Sequence, residues 1–140
     1  MNGQRVRGPF LTTMAVLFGV LAFSNATKAW QNMRDPTHLG IVILGVRFET
    51  FATNLSIGLA MGLVLATYAY GLWTMRRWVL PLSIAYAFWV PVNLVLFWYR
   101  QTSPDIPPVS SLLGYLAIAL GGSIGTALYL AYHRERLALA

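Results

Sequence analysis

Residues 68–82, "YAYGLWTMRRWVLPL", place Arg76 and Arg77 side by side in an otherwise apolar stretch. A guanidinium is among the costliest groups to hold in hydrocarbon. On either side of the pair, however, apolar sequence continues for about the 20 residues a helix needs to cross a bilayer core. It covers 51–73 before the pair and 78–98 after it. The arginines therefore fall in the tight turn of a helical hairpin, at a water interface. Trp73 and Trp78 flank them, as the aromatic belt of a membrane protein requires. Arg76 and Arg77 read as topology anchors, not as a binding site.

Composition agrees with that reading. Of 140 residues, 57% are hydrophobic and 10% charged, where soluble domains carry about 25% charged residues. The net charge of +6 comes as much from four acids as from ten bases, and the arginines are scattered in ones and twos. Such charge flanks membrane spans; it does not form the basic stripe of a nucleic-acid binder, and no nucleic-acid partner is expected. There is no cysteine, which removes disulfides, thiolate nucleophiles and iron–sulfur ligation.

Two further apolar runs, 9–27 and 109–132, bring the expected spans to four. None has the alternation of barrel strands, so helices are the only spanning form left to them. The fold class expected is all-α: a single-domain integral membrane four-helix bundle over residues 1–140. Arg5, Arg7 and the small-x-small triplet at Ser24–Ala26 give the first run some likeness to a signal peptide; it is read as a retained helix. Three connections put both termini on the side of the Arg76–Arg77 turn. Arg5, Arg7, Arg134 and Arg136 join the pair there, against Lys28, Arg34, Arg47 and Arg100 on the other side. The positive-inside rule then makes both termini cytoplasmic, in a bacterial-type plasma (inner) membrane.

The first connection is unlike a loop. "LGIVILGVRFETF", 39–51, is rich in β-branched residues and too short to span. It is expected to be an interfacial or re-entrant segment on the outer ends of the helices, or an early start to a long second helix. The third connection, 99–111, is proline-rich and reads as a stiff extended loop.

Helix association in lipid depends on small residues and interhelical hydrogen bonds. Gly58 and Gly62 form a GxxxG in the second span, and Gly121 and Gly125 another in the fourth. All four are expected at helix contacts, within the chain or between two copies. "NATKAW" and "NLVLFW" close the first and third spans with an asparagine five residues before a tryptophan, a faint internal echo.

"YGLWTMRRWVLPL", followed by an asparagine-containing third helix, resembles small four-span bacterial membrane proteins of uncharacterised function. The resemblance covers the middle third of the chain. It implies fold and membrane location, and it brings no catalytic residues.

The spans contain no ionisable side chain of the kind that marks proton-coupled transport. His38 and His133 lie outside the bundle interior that haem ligation needs. Asp35 and His38 in "DPTH" are read as solvated and not as metal ligands. No cofactor or metal is expected. Polar residues gather at the outer ends instead: Asn25 in the first span, Asn54 in the second, Asn93 in the third, and Tyr115 in the fourth. The inner half offers little beyond Thr12, Thr13, Thr67, Ser83 and tyrosines. Two readings follow. The asparagines bond to one another across the bundle, in which case leucine at position 54 costs little stability. Alternatively Asn25, Asn54, Asn93 and Tyr115 line an outer cleft, with Arg47 and Glu49 beside it and Arg47 available to an anionic or lipid headgroup.

The function expected is non-catalytic: an accessory subunit of a membrane complex or a lipid-binding bundle, with the bilayer, other membrane subunits or a second copy as partners. A small dimeric transport unit stands next, and an enzyme at the outer membrane face third.

Overall fold

A computed structural model of the chain describes residues 8–35, 41–100 and 109–137; the side chains of 109–112, 114 and 115 fall outside that description. The chain is mostly helical, in the order α1 (Pro9–Ala26), α2 (Lys28–Arg34), β1 (Ile41–Ile43), β2 (Val46–Phe48), α3 (Phe51–Thr74), α4 (Val79–Arg100) and α5 (Val109–Tyr132), with a 3-10 turn at Arg134–Arg136. By length and composition α1, α3 and α4 can each cross a membrane. The extended loop expected over 99–111 lies largely outside the described residues.

The start of α1 and both ends of α3 have local causes. Pro9 opens α1, where its missing N–H costs nothing. The Thr50 hydroxyl accepts from the Thr53 N–H at 3.3 Å and caps α3. At its far end, Met75 takes a left-handed conformation (φ +53°), and the Arg76 N–H returns to the Gly71 carbonyl at 3.1 Å. That reversal puts Arg76 and Arg77 in a turn of four residues between α3 and α4.

Two departures from an all-helical chain lie in the first connection. Lys28–Arg34 is a short helix, α2, turned off α1 at Thr27. Ile41–Phe48 is an antiparallel β-hairpin with Ile41 opposite Phe48, Val42 opposite Arg47 and Ile43 opposite Val46. It is not an early start to α3, which begins at Phe51. Its two-residue turn, Leu44–Gly45, has positive φ at both positions, +50° and +76°. That backbone matches the twist of the strands it joins.

The helices pack in two antiparallel pairs. In the first, Leu11, Ala15, Phe18 and Ala22 of α1 are buried along one stripe, against a stripe of α3 that includes Gly58, Gly62 and Leu65. The approach is close enough to require glycine. A Cβ on Gly58 would lie 2.4 Å from the Asn25 carbonyl oxygen, and one on Gly62 2.9 Å from that of Ala22. The second pair is α4 with α5, and α5 buries Ser123, Thr126, Ala127 and Leu130.

The pairs meet at the end that carries the Arg76–Arg77 turn, hereafter the turn end. Gly71 of α3 lies under Trp78 and Val79, and Phe10 of α1 stacks on Tyr129 of α5 at 4.9 Å. Leu72, Met75, Val79, Leu130 and Leu137 close a shared core there. Slightly deeper, Phe18, Tyr68 and Tyr86 form a ring triangle with centroids 4.5, 5.4 and 5.8 Å apart. Toward the opposite end the β-hairpin stands between α3 and α4. Among the described residues of α4, Val79 and Ser83 are buried, and none is buried beyond them.

Candidate functional site

The hairpin end is built around a main-chain problem. A short two-stranded ladder leaves N–H and C=O groups pointing outward, and where they are buried these groups need partners. Asn54, wholly buried in the first turn of α3, supplies them at the open end of the hairpin. Its Oδ1 accepts from the Ile41 N–H at 2.9 Å, and its Nδ2 donates to the Phe48 carbonyl at 2.8 Å. One carboxamide thus joins the two strand ends, which are already opposite each other in register. The remaining amide hydrogen goes to the Thr50 carbonyl at 3.1 Å.

Asn93 holds the hairpin from the other side. Its Nδ2 donates to the Val42 carbonyl at 3.3 Å, while its buried Oδ1 has no hydrogen-bond partner. One and a half to two turns further along α4, Arg100 Nη1 donates to the Leu44 carbonyl at 2.9 Å. Gly45 rests on the main chain of α4, where a Cβ would come within 2.4 Å of the Leu96 carbonyl oxygen. The Ile41 side chain, buried, reaches the groove beside Gly58. The hairpin is a wedge between α3 and α4, fixed to each by an asparagine of that helix.

These contacts settle where the expected site residues lie. Asn25 does not join Asn54 or Asn93; its Nδ2 turns back to the Leu21 carbonyl of its own helix at 2.8 Å. The three asparagines do not bond to one another; the hairpin stands between Asn54 of α3 and Asn93 of α4. Arg47 and Glu49 lie on β2 and just after it, exposed, with Nε and Oε1 3.9 Å apart. The Tyr115 side chain is outside the described residues. Gly121 has no neighbour within 4 Å, and a Cβ on Gly125 would meet only Phe10, at 3.9 Å. The second GxxxG is therefore not a close helix contact within the described chain. Arg77 Nε donates to the Leu137 carbonyl at 3.4 Å, so the segment after the 3-10 turn lies against the Arg76–Arg77 turn.

Around the hairpin the surface is aromatic and basic. Trp30 of α2 packs edge-on against Phe51 at 6.0 Å, with Met33 exposed on the same short helix. Lys28 is half-buried there, and desolvation lowers its pKa. Trp98, Tyr99 and Arg100 end α4, all exposed.

Sequence reasoning missed two polar residues of the turn-end half, Ser123 and Thr126, both buried. Each bonds within its own helix, Ser123 Oγ to the Ala119 carbonyl and Thr126 Oγ1 to that of Gly122. Ser83, buried beside Tyr68, does the same with the Leu80 carbonyl at 2.7 Å. Hydroxyls that return to the helix backbone can be buried without a partner on another span.

No family model, curated protein or solved structure matches this chain.

Proposed function

We propose that the chain is a non-catalytic four-span membrane protein that binds lipid at its hairpin end. In this reading α5, a helix of 24 residues, is the fourth span. Both termini and the Arg76–Arg77 turn are cytoplasmic in a bacterial-type inner membrane, and the hairpin end faces outward. The observation that carries the lipid assignment is how the polar groups of the spans are used. Asn54 and Asn93 are committed to the hairpin main chain. The rest of that end is an apolar and aromatic flank, with Arg47, beside Glu49, and Arg100, bonded to the Leu44 carbonyl through one nitrogen, at its rim. An apolar flank beneath guanidinium groups matches a phospholipid, acyl chains below and phosphate above.

Native mass spectrometry of protein extracted in mild detergent tests this. Wild type should retain phospholipid, and the double variant Arg47→Ala/Arg100→Ala should lose most of it. A lipid-free wild-type monomer would contradict the assignment. Reporter fusions at Arg77 and at position 104 test the topology; activity of a periplasm-only reporter at Arg77 would overturn it.

A second reading, a small dimeric transport unit built on the Gly121–Gly125 face, is favoured by one observation. Gly121 is exposed with open space around it, an unusual place to keep a GxxxG unless a second helix approaches. Disulfide formation by Gly121→Cys in membranes would support contact with a second copy.

A further inference from the structure

We propose that the hairpin tip, Leu44 with Val46, is a lipid anchor that inserts into the headgroup–acyl boundary of the leaflet at that end of the bundle. The inference rests on the spanning reading above and adds a contact that reading does not require. The first observation is backbone strain. Leu44 has φ +50°, a conformation costly for residues with a Cβ and better served by asparagine at this position of a two-residue hairpin turn. A leucine there gives up turn stability, and 40% of its surface stays exposed. Val46, the first residue beyond the turn, is likewise 44% exposed.

The second observation says what covers them. The Leu44 carbonyl is bonded to Arg100, the last residue of a helix long and apolar enough to span. Trp98 and Tyr99, exposed, sit immediately before it. Tryptophan, tyrosine and arginine at the end of an apolar span mark the level of lipid headgroups. The tip is tied to that level by a hydrogen bond, so its exposed apolar side chains face the same boundary. Arg100 uses one guanidinium nitrogen on Leu44, leaving donors for a lipid phosphate.

The chain has no cysteine, so single spin labels can be placed directly. Leu44→Cys is labelled in phospholipid vesicles and compared with two references. Glu49→Cys reports the aqueous side of the hairpin, and Leu63→Cys, exposed in the middle of α3, reports the bilayer core. Oxygen should exceed a water-soluble nickel chelate as relaxant several-fold more at position 44 than at position 49, giving 44 an immersion depth between the references. Nickel access at 44 equal to that at 49, with 63 immersed, would overturn the anchor and leave the spanning reading intact. Nickel access at 63 would overturn both. Shielding of 44 from both relaxants would also overturn the anchor, in favour of a protein contact. Should Leu44→Cys fail to fold, Val46→Cys carries the same readout.

Discussion

At the turn end, side chains meet side chains: Phe18, Tyr68 and Tyr86 ring to ring, with Leu72, Val79, Leu130 and Leu137 packed beneath. At the hairpin end, side chains meet main chain: Asn54 and Asn93 grip a β-hairpin whose strands are three residues each. The first arrangement spreads its energy over many small contacts and tolerates the loss of any one. The second concentrates it in a few directional bonds, each with a named partner that would otherwise be orphaned. The ends should therefore respond differently to substitution, and the hairpin end should open on its own before the bundle comes apart.

The largest effect should come from the contact both ends share. Gly58→Val forces a Cβ into the Asn25 carbonyl, parting α1 from α3, and should cost upward of about 3 kcal/mol. Unfolding in mixed micelles would read this as loss of the whole transition, not a part of it. Stability close to wild type would mean that α1 and α3 are not in backbone contact.

Next is Asn54→Leu. It removes partners from the buried Ile41 N–H and Phe48 carbonyl, at about 2–4 kcal/mol for the two. Hydrogen exchange should rise across 41–48 while the amides around Tyr68 and Val79 keep their protection. Unchanged exchange at 41–48 would break the comparison.

Asn93→Leu sharpens it. This side chain gives one long bond and keeps an unpartnered buried oxygen. Its loss orphans the Val42 carbonyl but also removes that oxygen, for a net cost of about 1 kcal/mol or less. A cost equal to that of Asn54→Leu would show that both carboxamides carry the hairpin alike.

Much of this molecule is legible in the sequence, and the boundary has physical causes. The long apolar helices α1, α3 and α4 follow from apolar length, and their ends follow from Pro9, the tryptophans and Arg76–Arg77. The hairpin does not follow, although its signal is present. Ile41–Ile43 is continuously apolar and only Val46–Thr50 alternates, so two strands of three residues give too short a pattern to mark a hairpin. Leucine in place of asparagine at the turn hides it further. The importance of Asn54 is visible as a polar residue in an apolar span. Its partners are not, because they are main-chain atoms of the hairpin, which carries no side-chain signal for them. Leucine at position 54 accordingly changes from a mild substitution, in the sequence reading, to a severe one. Ser123 and Thr126 escaped notice because their hydroxyls serve their own helix.

The central claim is that the two helix pairs are joined directly at the turn end and through the hairpin at the other. Pulsed electron–electron distance measurements test it with two pairs of labels on exposed sites of α3 and α4. Leu59→Cys with Val95→Cys reports the hairpin end, and Tyr70→Cys with Ile84→Cys reports the turn end. Introducing Asn54→Leu should broaden and shift the 59–95 distribution and leave the 70–84 distribution unchanged. Two unchanged distributions, or two that broaden together, would contradict the account.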